Sequence, residues 1–170
     1  MSTHDILFPA DEIAQRVRAM ARDIAQGPKP QIVVPVLAGA FVFAADLVRA
    51  LVDEGLSLPI EFLWLRSYGD KRSGSDVRTL VGPGDAVRGR SVLLIDGVLD
   101  KGATLARASV LLREAGAVSV TTAVVVDKRL PEALLKADHA AFVDVHDFII
   151  GYGMDDAGMS RALPYIGKVK

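Results

Sequence analysis

The chain has 170 residues and no cysteine, and its 20 lysines and arginines nearly balance 21 aspartates and glutamates. That length suits one domain with a core of its own, and the lack of thiols excludes disulfides and any thiolate metal or redox centre. A net charge of −1 argues against nucleic acid or an anionic membrane as the main partner. No basic segment leads into an apolar run at the N-terminus, and the apolar stretches are too short to span a bilayer, so a cytoplasmic protein is expected.

In chain order, Ile13, Val17, Met20 and Ile24 form one apolar helical stripe, which Gly27-Pro28-Lys29-Pro30 ends. Residues 31–37 predict a strand buried on both faces. Pro35 is awkward there, because it cannot donate to a ladder. Ala38-Gly39-Ala40 turns the chain into a helix over 41–52. Residues 60–67 predict a second strand, 68–75 a polar mobile loop, 77–81 a short strand and 82–85 a turn. Residues 91–96 are the clearest buried strand, ending in an acid and a glycine. A helix over 104–115 follows, closed by Gly116. Residues 119–127 predict a further strand, and 142–145 and 148–150 two short edge strands.

Helices alternating with apolar strands predict an α/β fold, a parallel sheet with crossover helices, whose ligands lie at the carboxyl ends of the strands. Three strands end in chemically capable residues: Leu37 before Ala38-Gly39-Ala40, Ile95 before Asp96, and Val126 before Asp127-Lys128. Acids and glycines also end strands simply as turn formers.

The most informative segment runs from Val92 to Leu105, through Asp96-Gly97-Val98-Leu99-Asp100-Lys101-Gly102-Ala103-Thr104. A strand enters a short loop and then a helix, so successive amides and a hydroxyl face outward at a helix N-terminus, a cradle for a phosphate monoester. Asp96 and Asp100 flank it. A carboxylate so placed is repelled by phosphate unless it grips sugar hydroxyls, meets a metal or accepts a proton. The plainer reading is an Asp-Gly turn with Thr104 as an N-cap.

This segment resembles the phosphoribosyl diphosphate-binding motif of the type I phosphoribosyltransferases. From about Ile6 to Lys168 the chain resembles the hypoxanthine (hypoxanthine-guanine) phosphoribosyltransferases. The supporting pieces are residues 36–47, Arg66-Ser67-Tyr68-Gly69, Asp127-Lys128, residues 148–155 and residues 161–167. The resemblance implies a type I phosphoribosyltransferase fold. Its single domain has a core over about 28–141 and a small hood built from the N-terminal residues and about 142–170. It implies transfer of phosphoribosyl from 5-phosphoribosyl 1-diphosphate to a 6-oxopurine, with Mg2+, in a homodimer or homotetramer.

The same resemblance implies residue roles. Asp100, Lys101, Gly102, Ala103 and Thr104 would hold the 5′-phosphate, and Asp96 the ribose hydroxyls. Asp100 would accept a proton near purine N7. Lys128 would donate to O6, Phe148 would stack on the base and Ile150 would contact it through its backbone. Ala38, Gly39 and Arg161 would meet the pyrophosphate, Asp155 and Asp96 the metal, and Ser67 and Tyr68 would belong to a closing lid.

Four positions depart from the family pattern. Gly97 stands where a second acid is usual, Lys101 where Ser or Thr is usual, and Ala38 where the pyrophosphate loop commonly has Lys or Arg. Lys128 lacks the further arginine often found four positions on. Three of these changes touch the diphosphate side, so turnover is expected to suffer more than purine-nucleotide binding. Two other functions stay open on sequence alone: a catalytically impaired protein that binds purine nucleotides in a regulatory role, and an enzyme of the same fold acting on another base.

Overall fold

The computed structural model describes residues 4–68 and 76–169. Its elements are β1 (His4–Phe8), α1 (Ala10–Gln26), β2 (Ile32–Leu37), α2 (Phe41–Asp53), β3 (Leu63–Tyr68), β4 (Asp76–Val81), β5 (Ser91–Leu99), α3 (Ala103–Glu114), β6 (Ser119–Asp127), β7 (His139–Val143), β8 (Ile149–Ile150) and β9 (Ile166–Val169). A single 3-10 turn, Asp85–Val87, precedes β5.

Six strands form one sheet in the order β4-β3-β2-β5-β6-β7, parallel except for the antiparallel β3–β4 pair. Both faces are covered, so neighbouring strand residues serve opposite cores. Val33, Leu93, Ile95, Ala123 and Val125 pack with the α1 stripe of Ile13, Val17, Met20 and Ile24 and with Phe43 and Leu47 of α2. Ile32, Val34, Val92, Leu94 and Val124 pack with Leu105, Ala108 and Leu112 of α3. Among the described residues no helix is long and apolar enough to cross a membrane.

A second sheet, β1-β9-β8, is antiparallel, and it brings the ends of the described chain together, His4 opposite Val169. The stacked rings of Phe8 and Phe142, with centroids 3.8 Å apart, join β1 to β7 of the large sheet.

Pro35 does lie inside a central strand, and the reason it is tolerated is local. Val33 exchanges bonds with the chain on the β3 side, donating to the Pro59 carbonyl (2.9 Å) and accepting from the Glu61 N–H (3.0 Å). Alternation along the strand returns Pro35 to that side, level with residues 61–62, before β3 begins. The missing donor therefore falls in a gap of the ladder.

Three expectations need correction. The strand expected to stop at Asp96 continues to Leu99, because β6 supplies partners as far as Asp127 opposite Leu99. The cap of α3 is Gly102, at φ 83, and not Thr104, which lies inside the helix. The strand expected at 142–145 is β7, beginning at His139 and paired with β6, so Phe142 belongs to the large sheet.

Candidate active site

The carboxyl ends of β2, β3 and β5 converge on a cavity of about 390 Å³. Its lining includes Ala38, Gly39, Asp96, Thr104, Asp155 and Arg161, all singled out from the sequence, together with Trp64 and Arg66 of β3. Topology makes the gathering possible. β2 lies between β3 and β5, so the turn after it sits beside Asp96. The hairpin after β8 then carries Asp155 and Arg161 across.

Asp96 projects from within β5, half-buried, and its Oδ1 accepts the Gly97 N–H at 2.7 Å. Burial pushes its carboxyl up to about 7, and the Gly97 bond offsets only part of that. Gly97 matches the space around it. A Cβ there would stand 3.1 Å from the Gly39 carbonyl oxygen and 3.6 Å from Met154 Cγ, and a Cβ on Gly153, at φ 99, would collide with the same Gly39 oxygen. The Gly39 carbonyl is thus wedged between β5 and the hairpin after β8. The Leu37–Ala38 peptide just before it is cis.

On the other flank, β5 ends and Asp100, Lys101 and Gly102 lead into α3. The first helical bond of this turn runs from the Ala106 N–H to the Gly102 carbonyl at 2.9 Å. The amides of Ala103, Thr104 and Leu105 therefore precede the ladder, as an anion cradle requires. The Lys101 carbonyl accepts the Leu134 N–H at 2.9 Å, and Leu135 packs where a Gly102 side chain would stand.

Asp100 pairs with Lys128 across the ends of β5 and β6, Oδ2 to Nζ at 3.6 Å. The Lys128 N–H donates to the Leu99 carbonyl at 3.0 Å, which fixes this junction. Asp127, suggestive in the sequence, is fully buried and holds the loop instead. It accepts the N–H groups of Arg129 (2.9 Å) and Ala137 (3.1 Å) and pairs with Arg129 Nε at 3.0 Å.

Arg161 is anchored twice. Nη1 donates to the Gly153 carbonyl at 2.7 Å and Nη2 pairs with Asp155 Oδ1 at 2.7 Å. Asp155 Oδ2 also accepts the Gly158 N–H at 2.7 Å, so this carboxylate is a turn former as well as an ion-pair partner.

The remaining candidates stand apart from the cavity lining. Phe148 is half-exposed just before β8 and Ile150 is buried within it, opposite Gly167 of β9. Asp100 and Lys128 do not contribute to the lining either. Ser67 and Tyr68 end β3, and the rest of the expected lid, 69–75, lies outside the described residues. Sequence reasoning gave Trp64 and Arg66 no role. The signal available for both was their shared parity on β3, opposite to the buried Leu63 and Leu65.

The family model of the phosphoribosyl transferase domain matches residues 4–157. The chain is 34% identical to the hypoxanthine-guanine phosphoribosyltransferase of Dictyostelium discoideum, over 99% of this chain and 96% of that protein. It is 31% identical to the hypoxanthine phosphoribosyltransferase of Escherichia coli K12, over 98% and 96%. Among solved structures, that of the Trypanosoma cruzi hypoxanthine phosphoribosyltransferase in complex with the product IMP is similar with a TM-score of 0.84 and 30% identity, covering 99% of this chain and 95% of that one.

Proposed function

We infer the roles of individual residues from one premise: the chain belongs to the phosphoribosyl transferase domain family and, within it, to the hypoxanthine phosphoribosyltransferases. It is a purine salvage enzyme, transferring phosphoribosyl from 5-phosphoribosyl 1-diphosphate to a 6-oxopurine and releasing pyrophosphate. The regulatory binder and the enzyme for another base are not favoured.

The observation that carries the assignment of roles is the Asp100–Lys128 pair, 3.6 Å apart beside the Thr104 turn. O6 and N7 are neighbours on one edge of a 6-oxopurine. An ammonium and a carboxylate side by side match that edge, Lys128 donating to O6 and Asp100 accepting the N7 proton. As N9 bonds to C1′, the C1′–O bond to pyrophosphate breaks and the base gives its proton to Asp100. The loop Asp100 to Thr104, through its backbone amides, Lys101 and the Thr104 hydroxyl, holds the 5′-phosphate, and Asp96 takes the ribose hydroxyls. Ala38, Gly39 and Arg161 face the leaving pyrophosphate. Phe148 and Ile150 place the base from the three-stranded sheet, which acts as the hood over a core made by the large sheet. Ser67 and Tyr68 begin the lid that keeps water from the reacting carbon.

The donor set also bears on Mg2+. Among the described residues no three His, Cys, Asp or Glu side chains cluster for a metal. Asp155 is already held by Arg161 and Gly158, while Asp96 opens on the cavity. One or two carboxylates suit a magnesium whose other ligands are waters and diphosphate oxygens. Asp155 and Asp96 would hold it, and when bound it neutralises charge developing on the departing pyrophosphate.

A row of exposed apolar side chains, Ile60, Phe62, Trp64 and Val81, supports association with a second copy, as a homodimer or homotetramer.

Steady-state turnover with hypoxanthine, guanine, xanthine and adenine, with and without magnesium, tests this reading. Magnesium-dependent formation of nucleoside monophosphate and pyrophosphate from the 6-oxopurines, and not from adenine, is expected. Binding of the monophosphate without turnover would overturn it.

A further inference from the structure

The diphosphate side of the cavity is short of cations. Ala38 brings no charge, and the guanidinium of Arg161 is already met by Asp155 at 2.7 Å. Asp96 adds a second carboxylate to the same lining. A substrate diphosphate entering this space needs a positive group not already neutralised.

Arg66 supplies one. It lines the cavity from β3 and is exposed. The register of β2 with β3 pairs Leu37 with Trp64, and Arg66 lies two residues further along, abreast of the Ala38-Gly39 turn. Its cross-strand partner is Arg78 of β4. Two like charges directly opposite on an antiparallel pair destabilise it. Among the described residues neither guanidinium has an ion pair or a side-chain hydrogen bond. Among the described residues the protein tolerates an uncompensated pair of arginines, one of which lines the cavity, in a chain that carries more acids than bases. An anion bound there removes that repulsion, and the planar fork of Arg suits phosphoryl oxygens.

We propose that Arg66, backed by Arg78, is the diphosphate-binding cation of this enzyme, replacing from β3 the basic side chain that the loop lacks at Ala38. The inference deepens the reading above and rests on it. The Arg66 guanidinium contacts the diphosphate of the substrate and the pyrophosphate product, while Arg161, its charge offset by Asp155, faces the other side of the leaving group.

The test uses the full-length protein with magnesium. Pyrophosphate binding is measured by calorimetry, and phosphoribosyl diphosphate use by steady-state kinetics. Arg66→Ala is expected to weaken pyrophosphate binding and raise KM for phosphoribosyl diphosphate by about tenfold to a hundredfold, the effect of losing a charge-assisted bond. Affinity for the purine monophosphate should stay within about twofold, because the 5′-phosphate lies on the other flank. Adding Ala38→Lys to Arg66→Ala should recover at least about tenfold of the loss. The free Arg66→Ala protein should melt no lower than the parent, since a repulsion has been removed. Unchanged pyrophosphate affinity, a parallel loss of monophosphate binding, or a lower melting temperature would each overturn the proposal. Failure of the enzymatic reading is distinct: the parent would bind pyrophosphate, with the Arg66 dependence intact, yet form no nucleotide.

Discussion

Lys128 Nζ lies 3.6 Å from Asp100 Oδ2, a largely buried ammonium beside a carboxylate that is more than half exposed. The buried partner is positioned by the backbone of β5 and by the Asp127 scaffold, and the exposed one is free to meet substrate. Asp100→Asn should therefore lower kcat by roughly 10²–10⁴-fold with little change in purine KM, the usual effect of losing a general base. Lys128→Met should instead erase discrimination between hypoxanthine and adenine, worth about 1–3 kcal/mol. Competition binding of the two bases reads the second effect directly.

Asp96 has a definite sign in pH. Its carboxyl is raised from 3.8 to about 7 by burial, so the folded state holds this proton more tightly than the unfolded chain. Stability from this group is greatest below pH 4, falls as pH rises from about 4 to about 7, and is level above that. The full loss is at most about 4 kcal/mol, reduced by the access of Asp96 to the cavity. Asp96→Asn should flatten the difference between denaturation midpoints at pH 5 and pH 8 in metal-free protein. It should also weaken ribose recognition.

Restoring an acid at position 97 should not restore function by itself. A Cβ there meets the Gly39 carbonyl oxygen at 3.1 Å, a backbone atom with Gly153 on its other side. Gly97→Ala should cost about 1–3 kcal/mol as an overpacked contact, and Gly97→Asp at least as much. Thermal melts measure the cost. The sequence comparison alone favours a gain in efficiency from Gly97→Asp, and the geometry reverses that expectation.

Tyr152 donates its hydroxyl to Asp46 Oδ2 at 2.8 Å, tying the hairpin after β8 to α2. Its own hydroxyl proton is held well above the usual phenol range, chiefly by burial and also by Asp46. Tyr152→Phe should lower stability by about 1 kcal/mol in urea denaturation. It should raise KM for phosphoribosyl diphosphate more than KM for the purine, since the hairpin carries Asp155 and Arg161.

Residues 119–127 were legible as a strand because nine consecutive side chains suit the middle of a parallel sheet, and the structure returns the same bounds. The sequence marks a strand end at Asp96-Gly97, which looks like punctuation, three residues short of the end of β5 at Leu99. The strand continues only because β6 runs alongside, and pairing at that separation leaves no local mark. The strand-loop-helix order around Asp100 to Thr104 is legible from its own spacing, and the structure carries α3 on from Gly102. Asp127 was not separable from Asp96 by sequence, since both are acids near the end of an apolar run. One is buried against Arg129 and Ala137, and the other opens on the cavity. For Arg66 the sequence offers only its parity on β3, opposite to Leu63 and Leu65; the register of three strands is what sets it at the cavity.

The pairing of β1 with β9 imposes an order of events on synthesis. Residues 4–8 leave the ribosome before residues 166–169, their only strand partner among the described residues. Until then β1 has no hydrogen-bonding partner strand, and only Phe8 has a contact ready, against Phe142 of β7, while the local α1 and the parallel units of the large sheet can already assemble. Among the described residues this pairing joins the strands farthest apart in sequence, and it completes the sheet that carries Ile150. A nascent chain can thus form the turn that leads from β5 into α3 before it can close the three-stranded sheet.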